Sequence, residues 1–271
     1  MIKQAIIPLA GQGTRLLPLT SVFPKELLPI NGKPGLEYIL DECIEAGIKE
    51  IILIISNKKP FIKKYFNNDI FFKRIIKKKP KDKRLKSEYL KIKRYKKMIK
   101  FVYQNSPKGT GDAVLKCKKF IKDKFFLMLL ADDLIVKKNC SLSMINLHKK
   151  HKAAVIASKK VKKKEVSRWG IFNLKKINKT NFLINDVIEK PSTNSAPSNH
   201  AVIGRYILPK KIFKILKKQK PGLNSEIHIT DSIKTLIEQN NKFIGHVFSG
   251  RYLDCGTMKG YIDSGIKISK L

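Results

Sequence analysis

What the chain lacks narrows the possibilities first. No C-x-x-C pair occurs, and the four cysteines (Cys43, Cys117, Cys140, Cys255) are scattered through 271 residues. A disulfide framework or a zinc site is therefore not expected, whereas reduced thiols in a cytoplasmic protein are. The longest apolar run, Phe125 to Ala131, is seven residues, far short of the roughly 20 that span a bilayer. The N-terminus shows no small-residue cleavage site after its short apolar patch, so a secretory leader is not expected either. Acidic residues are scarce, 21 against 58 basic, which gives a net charge of +37. Arginine is scarcer still, at only seven of those 58. A surface built for phosphate forks or base edges would use more of it. The lysine excess travels with Ile and Asn and reads as drift in base composition. A nucleic-acid partner is not expected, although the charge will draw anions nonspecifically. The five histidines show no ligand spacing. Neither the G-x-x-x-x-G-K-[ST] phosphate loop nor the full G-x-G-x-x-G fingerprint is present.

What is present is a series of buried-strand signatures alternating with helical ones. Gln4 to Leu9 is an apolar run that ends at a Gly-rich turn. Gly35 to Ala46 has helical spacing and Gly47 as a C-cap. Glu50 to Ile55 is the next buried strand, completing a βαβ unit. Lys58 to Lys100 reads as an excursion of two or three Lys-rich surface helices, with apolar stripes at Phe61, Tyr65, Phe66 and at Leu85, Tyr89, Ile92. Strands are expected at Ile99 to Tyr103, Phe125 to Leu130 and Ala153 to Ser158, with helices over Asp112 to Phe120 and Leu142 to His151. Shorter strands joined by polar loops follow from 168 to 208. Helices over Lys210 to Lys217 and Ile229 to Gln239 lead to a last long strand, Phe243 to Phe248. The expected fold is α/β. A doubly wound, mostly parallel sheet forms the first half and a mixed β-rich half follows, all in one domain. The first half is 1–135, with 58–100 as its helical excursion, and the second half with the C-terminal segment is 136–271. Ligands of such sheets sit at the carboxyl ends of strands. The places to look are the loops after Leu9, Tyr103 and Leu130 and the one at Ala201 to Arg205.

The first of these loops reads Ala10-Gly11-Gln12-Gly13-Thr14-Arg15, with Lys25 ten residues later. Two glycines let backbone N–H groups approach anionic oxygens. Arg15 can add a forked hydrogen-bond pair and Lys25 a point charge, so the loop is suited to a nucleoside triphosphate. Asp132-Asp133 leaves the most apolar strand of the chain. A carboxylate there is costly unless it is paired or metal-bound. Hard oxygen ligands suit Mg²⁺, which is held through one or two carboxylates together with phosphate oxygens.

At these residues the sequence resembles the bacterial UTP–glucose-1-phosphate uridylyltransferases, sugar-nucleotide pyrophosphorylases of the nucleotidyltransferase fold. The N-terminal signature is "AGQGTRLLPLT…FPKELLPINGKPGLEYIL". It is followed in the family's order by "YQNSPKGTGDAVL", "LLADDLI", "WGIF", "VIEKP", "HAVIGRYIL", "SEIHITDSI" and "LDCGTMKGYI". The resemblance implies a set of roles. Ala10, Gly11, Gly13, Thr14 and Glu26 would surround the nucleotide, Gln104 would read the uracil edge, and Gly109 would let the base lie against the backbone. Asp132 would be one Mg²⁺ ligand and Asp254 the other, while Asp133 would orient the loop or reach the ribose. Glu189 would accept from sugar hydroxyls, Lys190 would contact the sugar phosphate, and Gly170 and Gly204 would line the sugar. UTP and glucose 1-phosphate would be the substrates and Arg15 and Lys25 the catalytic cations. A homo-oligomer, dimer or tetramer, is expected by the same resemblance. Gln12, Ser21 and Ala131 depart from common family residues (apolar, Lys and Gly, respectively). Two other readings predict different behaviour: a thymidylyltransferase making dTDP-glucose, and a basic RNA-binding or regulatory protein on an inactive enzyme fold.

Overall fold

The computed structural model describes residues 2–271, apart from the side chain of Leu223. Its strands are β1 (Gln4–Pro8), β2 (Pro29–Ile30), β3 (Lys33–Pro34), β4 (Glu50–Ile55), β5 (Ile99–Tyr103), β6 (Phe125–Leu129), β7 (Asp133–Val136), β8 (Ala154–Lys160), β9 (Gly170–Lys176), β10 (Asn181–Glu189), β11 (His200–Pro209), β12 (Phe243–Val247) and β13 (Arg251–Asp254). Its α-helices are α1 (Gly35–Glu45), α2 (Pro60–Asn67), α3 (Asp69–Lys78), α4 (Lys83–Met98), α5 (Thr110–Leu115), α6 (Cys140–His151), α7 (Ile212–Lys218), α8 (Ile229–Glu238) and α9 (Met258–Ser269).

Nine strands form one sheet in the order β5-β4-β1-β6-β11-β8-β12-β10-β9. β1 runs parallel to β4 on one side and to β6 on the other, and β5 continues the parallel half. β11 enters antiparallel between β6 and β8, and β12 lies parallel to β8. β10 and β9 finish the sheet antiparallel. The chain reverses its winding between β1 and β6, and the crevice at that switch point is where open α/β sheets bind ligands. β7 and β13 make a separate two-stranded ribbon beside the crevice.

The continuous apolar runs of the central strands follow from burial on both faces, since successive side chains point to opposite sides. Ala5, Ile7, Leu53, Leu127 and Leu129 join the core under α1 and α6. Ile6, Ile52, Ile54, Phe126 and Met128 join a second core with Val114, Phe213 and Ile233 from the opposite helices. The Lys-rich excursion is three helices, α2 to α4. It is anchored, because Ile62, Phe66, Ile92 and Tyr95 are buried in the first core. Its inward face is thus Ile62 and Phe66, and Phe61 is exposed. The Tyr65 hydroxyl also donates to Glu37 on α1, which fastens α2 to the βαβ unit.

Four expectations need correction. The helix expected over Asp112 to Phe120 begins at Thr110 and its α portion ends at Leu115, with tight turns beyond. The segment 168–208 holds long strands of seven, nine and ten residues. Ala201 to Arg205 is no loop but the interior of β11, where a register shift against β8 between Val202 and Tyr206 marks a bulge. The terminal stretch adds β13 and α9, whose Thr257 cap accepts from the Gly260 amide, 3.1 Å.

Two predictions follow. All four cysteines are free and buried. Burial pushes the Cys255 thiol up to about 11 and the Cys117 thiol up to about 12. Disulfide-exchange reagent at pH 8 should therefore titrate no thiol in the native protein within minutes, and all four after unfolding in guanidinium. Gly245 on β12 stands opposite Phe182 on β10, and a Cβ there would fall 2.0 Å from the Phe182 ring. Gly245→Ala should lower the unfolding free energy by about 1–3 kcal/mol in urea titrations.

Candidate active site

The loop after β1 turns on Gly13. Gly13 takes a left-handed conformation (φ 72°) and starts the single 3-10 turn Thr14–Leu16. The Thr20 hydroxyl donates to the Gly13 carbonyl at 2.8 Å and closes the loop from the far side. Among the described residues, the N–H groups of Gly11 and Gln12 find no protein acceptor. Arg15 is exposed and faces the main cleft.

Lys25 crosses beneath this loop and donates to Asp132 Oδ2 at 2.7 Å. Burial works against charge on Lys25, but Asp132 and Glu26 beside it outweigh burial and raise its pKa above the ordinary lysine value. Burial likewise opposes ionisation of Asp132, and Lys25 overrides it, so that carboxyl titrates below its usual range. Both groups are charged at neutral pH. The structure does not bring Glu26 into the cleft. Its side chain is buried and salt-bridged to Lys59 at 3.2 Å, and Lys59 also donates to the Leu9 carbonyl at 3.1 Å. Glu26 thereby shores up the loop from behind.

The β7–β13 ribbon brings the two distant carboxylates together. The register opposes Asp254 to Asp133, and the Cys255 amide donates to the Asp132 carbonyl at 2.8 Å. A Cβ added at Gly256 would meet Asp132 Oδ2 at 3.1 Å and Asp254 Oδ1 at 3.2 Å, so both carboxylates border the same small space. Arg168 donates to Asp254 Oδ2 at 3.0 Å. Asp133 turns inward. Its carboxylate accepts from the Tyr252 hydroxyl at 2.6 Å and from the Gly204 amide at 2.8 Å. Burial and the neighbouring Asp132 push the Asp133 carboxyl up to about 6. Asp133 thus links the ribbon to β11.

The cleft has a volume of ≈ 530 Å³, and Arg15, Asp132, Asp254, Gly170, Glu189, Lys190 and Gly204 line it together. Glu189 accepts from Thr230 at 2.9 Å, and a Cβ at Gly170 would fall 3.2 Å from the Glu189 carboxylate. The space a side chain at Gly204 would need is taken by Leu130 and Asp133, 2.5–2.6 Å away. Gln104 lies buried behind the cleft, with its Nε2 on Asp112 at 2.7 Å and on the Gly109 carbonyl at 3.3 Å. Gly109 has φ +98°, and a Cβ there would strike the backbone of Ile227 at 2.6 Å. Its glycine is therefore required by the chain's own packing, whatever else it meets. Thr110, the next residue, is the one exposed to the cleft.

Sequence reasoning missed several lining residues: Arg168, Trp169, Thr230, Tyr206, Glu226 and His228. Trp169 opens the quoted "WGIF" and Arg168 directly precedes it. Their signal was a cation and an aromatic at the start of a strand whose first residue is a glycine. α8 starts with no side-chain cap, and the Thr230 hydroxyl donates to Glu189.

Comparisons with known proteins identify the family. The nucleotidyl transferase family model matches residues 4–270. The UTP–glucose-1-phosphate uridylyltransferase of Mycoplasma pneumoniae is 35% identical over 270 residues, covering 98% of this chain and 91% of that protein. The enzyme of the same name from Bacillus subtilis is 34% identical over 271 residues, covering 99% and 91%. A crystal structure of a UDP-glucose pyrophosphorylase complexed with UDP-glucose superposes with a TM-score of 0.88 at 34% identity, covering 100% of this chain and 99% of that one. A UTP-bound enzyme of that type from Acinetobacter baumannii superposes with a TM-score of 0.88 at 32% identity, covering 99% and 93%. With the family model matching almost the whole chain and near-complete coverage of these relatives at about one-third identity, the chain belongs to the nucleotidyl transferase family, among its UTP–glucose-1-phosphate uridylyltransferases.

Proposed function

We propose that the cleft transfers UMP from UTP to glucose 1-phosphate and releases UDP-glucose and pyrophosphate. The observation that carries this reading is the convergence of Asp132 and Asp254 on one small space, facing a loop with free N–H groups, Arg15 and Lys25. A phosphate oxygen of the sugar phosphate attacks the α-phosphorus. A new P–O bond forms, the bond to the β-phosphate bridge breaks, and the electron pair leaves with pyrophosphate. The nucleophile is already ionised at neutral pH, so a general base adds little. The obstacle is bringing two polyanions together, and positioning with charge neutralisation supplies the catalysis.

The residues present fit Mg²⁺. Asp132 and Asp254 offer hard oxygen donors around the gap that Gly256 leaves, and phosphate oxygens and water complete such a shell. When bound there, the ion would neutralise charge on the reacting phosphates. Gly11 and Gln12 would hold the triphosphate through their amides. Lys25 would shift from Asp132 toward the transferring group, and Arg15 would stabilise the departing pyrophosphate. Glu189, held by Thr230, would accept from sugar hydroxyls against Gly170, and Lys190 and Arg168 would meet the sugar phosphate. Gln104 would present its amide near the base from behind Thr110. The four buried free cysteines support a cytoplasmic enzyme. Ile262 and Ile266, exposed one turn apart on α9, support a homo-oligomer.

Pyrophosphate release across a matrix of nucleotides and sugar 1-phosphates checks the assignment. UTP with glucose 1-phosphate should be the best pair. A clear preference for dTTP would move the chain to the thymidylyltransferases, and no release with any pair would leave the RNA-binding reading. Asp132→Asn should lower kcat by about 10²–10³-fold and leave the fold intact by circular dichroism. Lys25→Met should cost a similar about 10²–10³-fold in kcat. Retained activity in either variant would remove that residue from the mechanism.

A further inference from the structure

The largest wholly buried side chain in the protein is a charged one, and the chemistry above does not use it. Arg205, on β11, has 0% exposure. Its Nε donates to both Glu42 carboxylate oxygens at 3.0 Å, and one Nη2 proton reaches Glu42 Oε2 at 2.8 Å. Nη1 donates to the carbonyls of Leu130 at 3.1 Å and Gly204 at 2.8 Å. Nη2 also donates to the carbonyl of Asp133 at 2.7 Å. All five N–H donors of the guanidinium are thus engaged. Glu42, on α1, is held in turn by the Ser141 amide at 3.1 Å and the Ser141 hydroxyl at 2.6 Å.

The placement of these bonds matters more than their number. Leu130 and Asp133 bracket a two-residue turn, Ala131-Asp132. One planar guanidinium therefore ties down both ends of the turn that aims Asp132. Hydrophobic residues of similar volume often fill such a space without loss of stability, so folding alone does not call for a buried ion pair. A rigid fork that reads two carbonyls at fixed separation does call for Arg.

We infer that Arg205, oriented by Glu42, is a positioning residue for the transfer reaction: it fixes the Ala131-Asp132 turn so that the Asp132 carboxylate faces Lys25 and Asp254. The inference rests on the proposed role of Asp132. Misplacing a reacting group by about 1 Å costs on the order of 10²-fold in rate. The phosphate loop is carried by a different element, so binding of UTP should be spared.

Two variants test this. Arg205→Lys keeps a charge for Glu42 but cannot span both carbonyls. The double variant Glu42→Met with Arg205→Met removes both charges and keeps the volume. Steady-state kinetics, Mg²⁺ titration of activity and thermal unfolding are read for each. The expected result is a loss of about 100-fold in kcat, a raised Mg²⁺ concentration for half-activation, and KM for UTP within about threefold, in at least one variant that melts within about 5 °C of wild type. Wild-type kcat and Mg²⁺ requirement in every variant that folds would overturn the inference. So would an activity loss that only tracks the folded fraction, or failure of both variants to fold, because the pair would then serve folding alone. Asp132→Asn measured alongside separates the two failures: if it is fully active, the site reading fails, and if it is inactive while the Arg205 variants are not, only the positioning inference fails.

Discussion

One guanidinium with no exposed surface joins the pieces of chain from which the cleft is made. Arg205 on β11 touches α1 through Glu42, both ends of the Asp132 turn, and its own strand at Gly204. Glu42 extends the connection to the start of α6 through Ser141. Asp133 then reaches from the turn to β11 and to Tyr252 on the terminal ribbon. Hydrogen-bonded partners 71 to 163 positions apart in sequence are fixed in one frame. A partly satisfied polar network at this depth would be destabilising, whereas a fully satisfied one specifies a single arrangement.

The frame presents opposite charges to each other in the cleft. Lys25 faces Asp132 and Arg168 faces Asp254. These pairs keep four charges near the surface of the cleft compensated until polyanionic substrates arrive. The large positive charge of the chain as a whole lies elsewhere, mostly as exposed lysines on the excursion and the outer helices. Long-range attraction of anions thus belongs to the whole surface and is separate from the local geometry of the loop and the ribbon.

The sequence made the central strands legible because each is buried on both faces and reads as an unbroken apolar run. The Asp pair also stood out, because charge at the exit of a buried strand leaves few residue choices, and the structure places Asp132 on the cleft. The ribbon was invisible. β7 and β13 are four residues each and acquire meaning only by pairing across more than a hundred positions. The bulge at Gly204 was likewise hidden, since it exists relative to a neighbouring strand. Gly109 shows the opposite limit. Its glycine was expected to accommodate a base, yet the backbone of Ile227 already fills the space a side chain would need. Glu26, a carboxylate beside the phosphate loop, could be placed behind it only once Lys59 was seen beneath the same loop.

The central claim is that Asp132 and Asp254 together hold the metal ion that escorts the triphosphate. A crystal structure of the protein soaked with Mn²⁺ and UDP-glucose, read by anomalous scattering, tests it most directly. The account predicts one metal bound by an oxygen of each carboxylate, with the Lys25 ammonium displaced from Asp132 toward the phosphates. An anomalous peak remote from both carboxylates, with nucleotide nonetheless in the cleft, would contradict it.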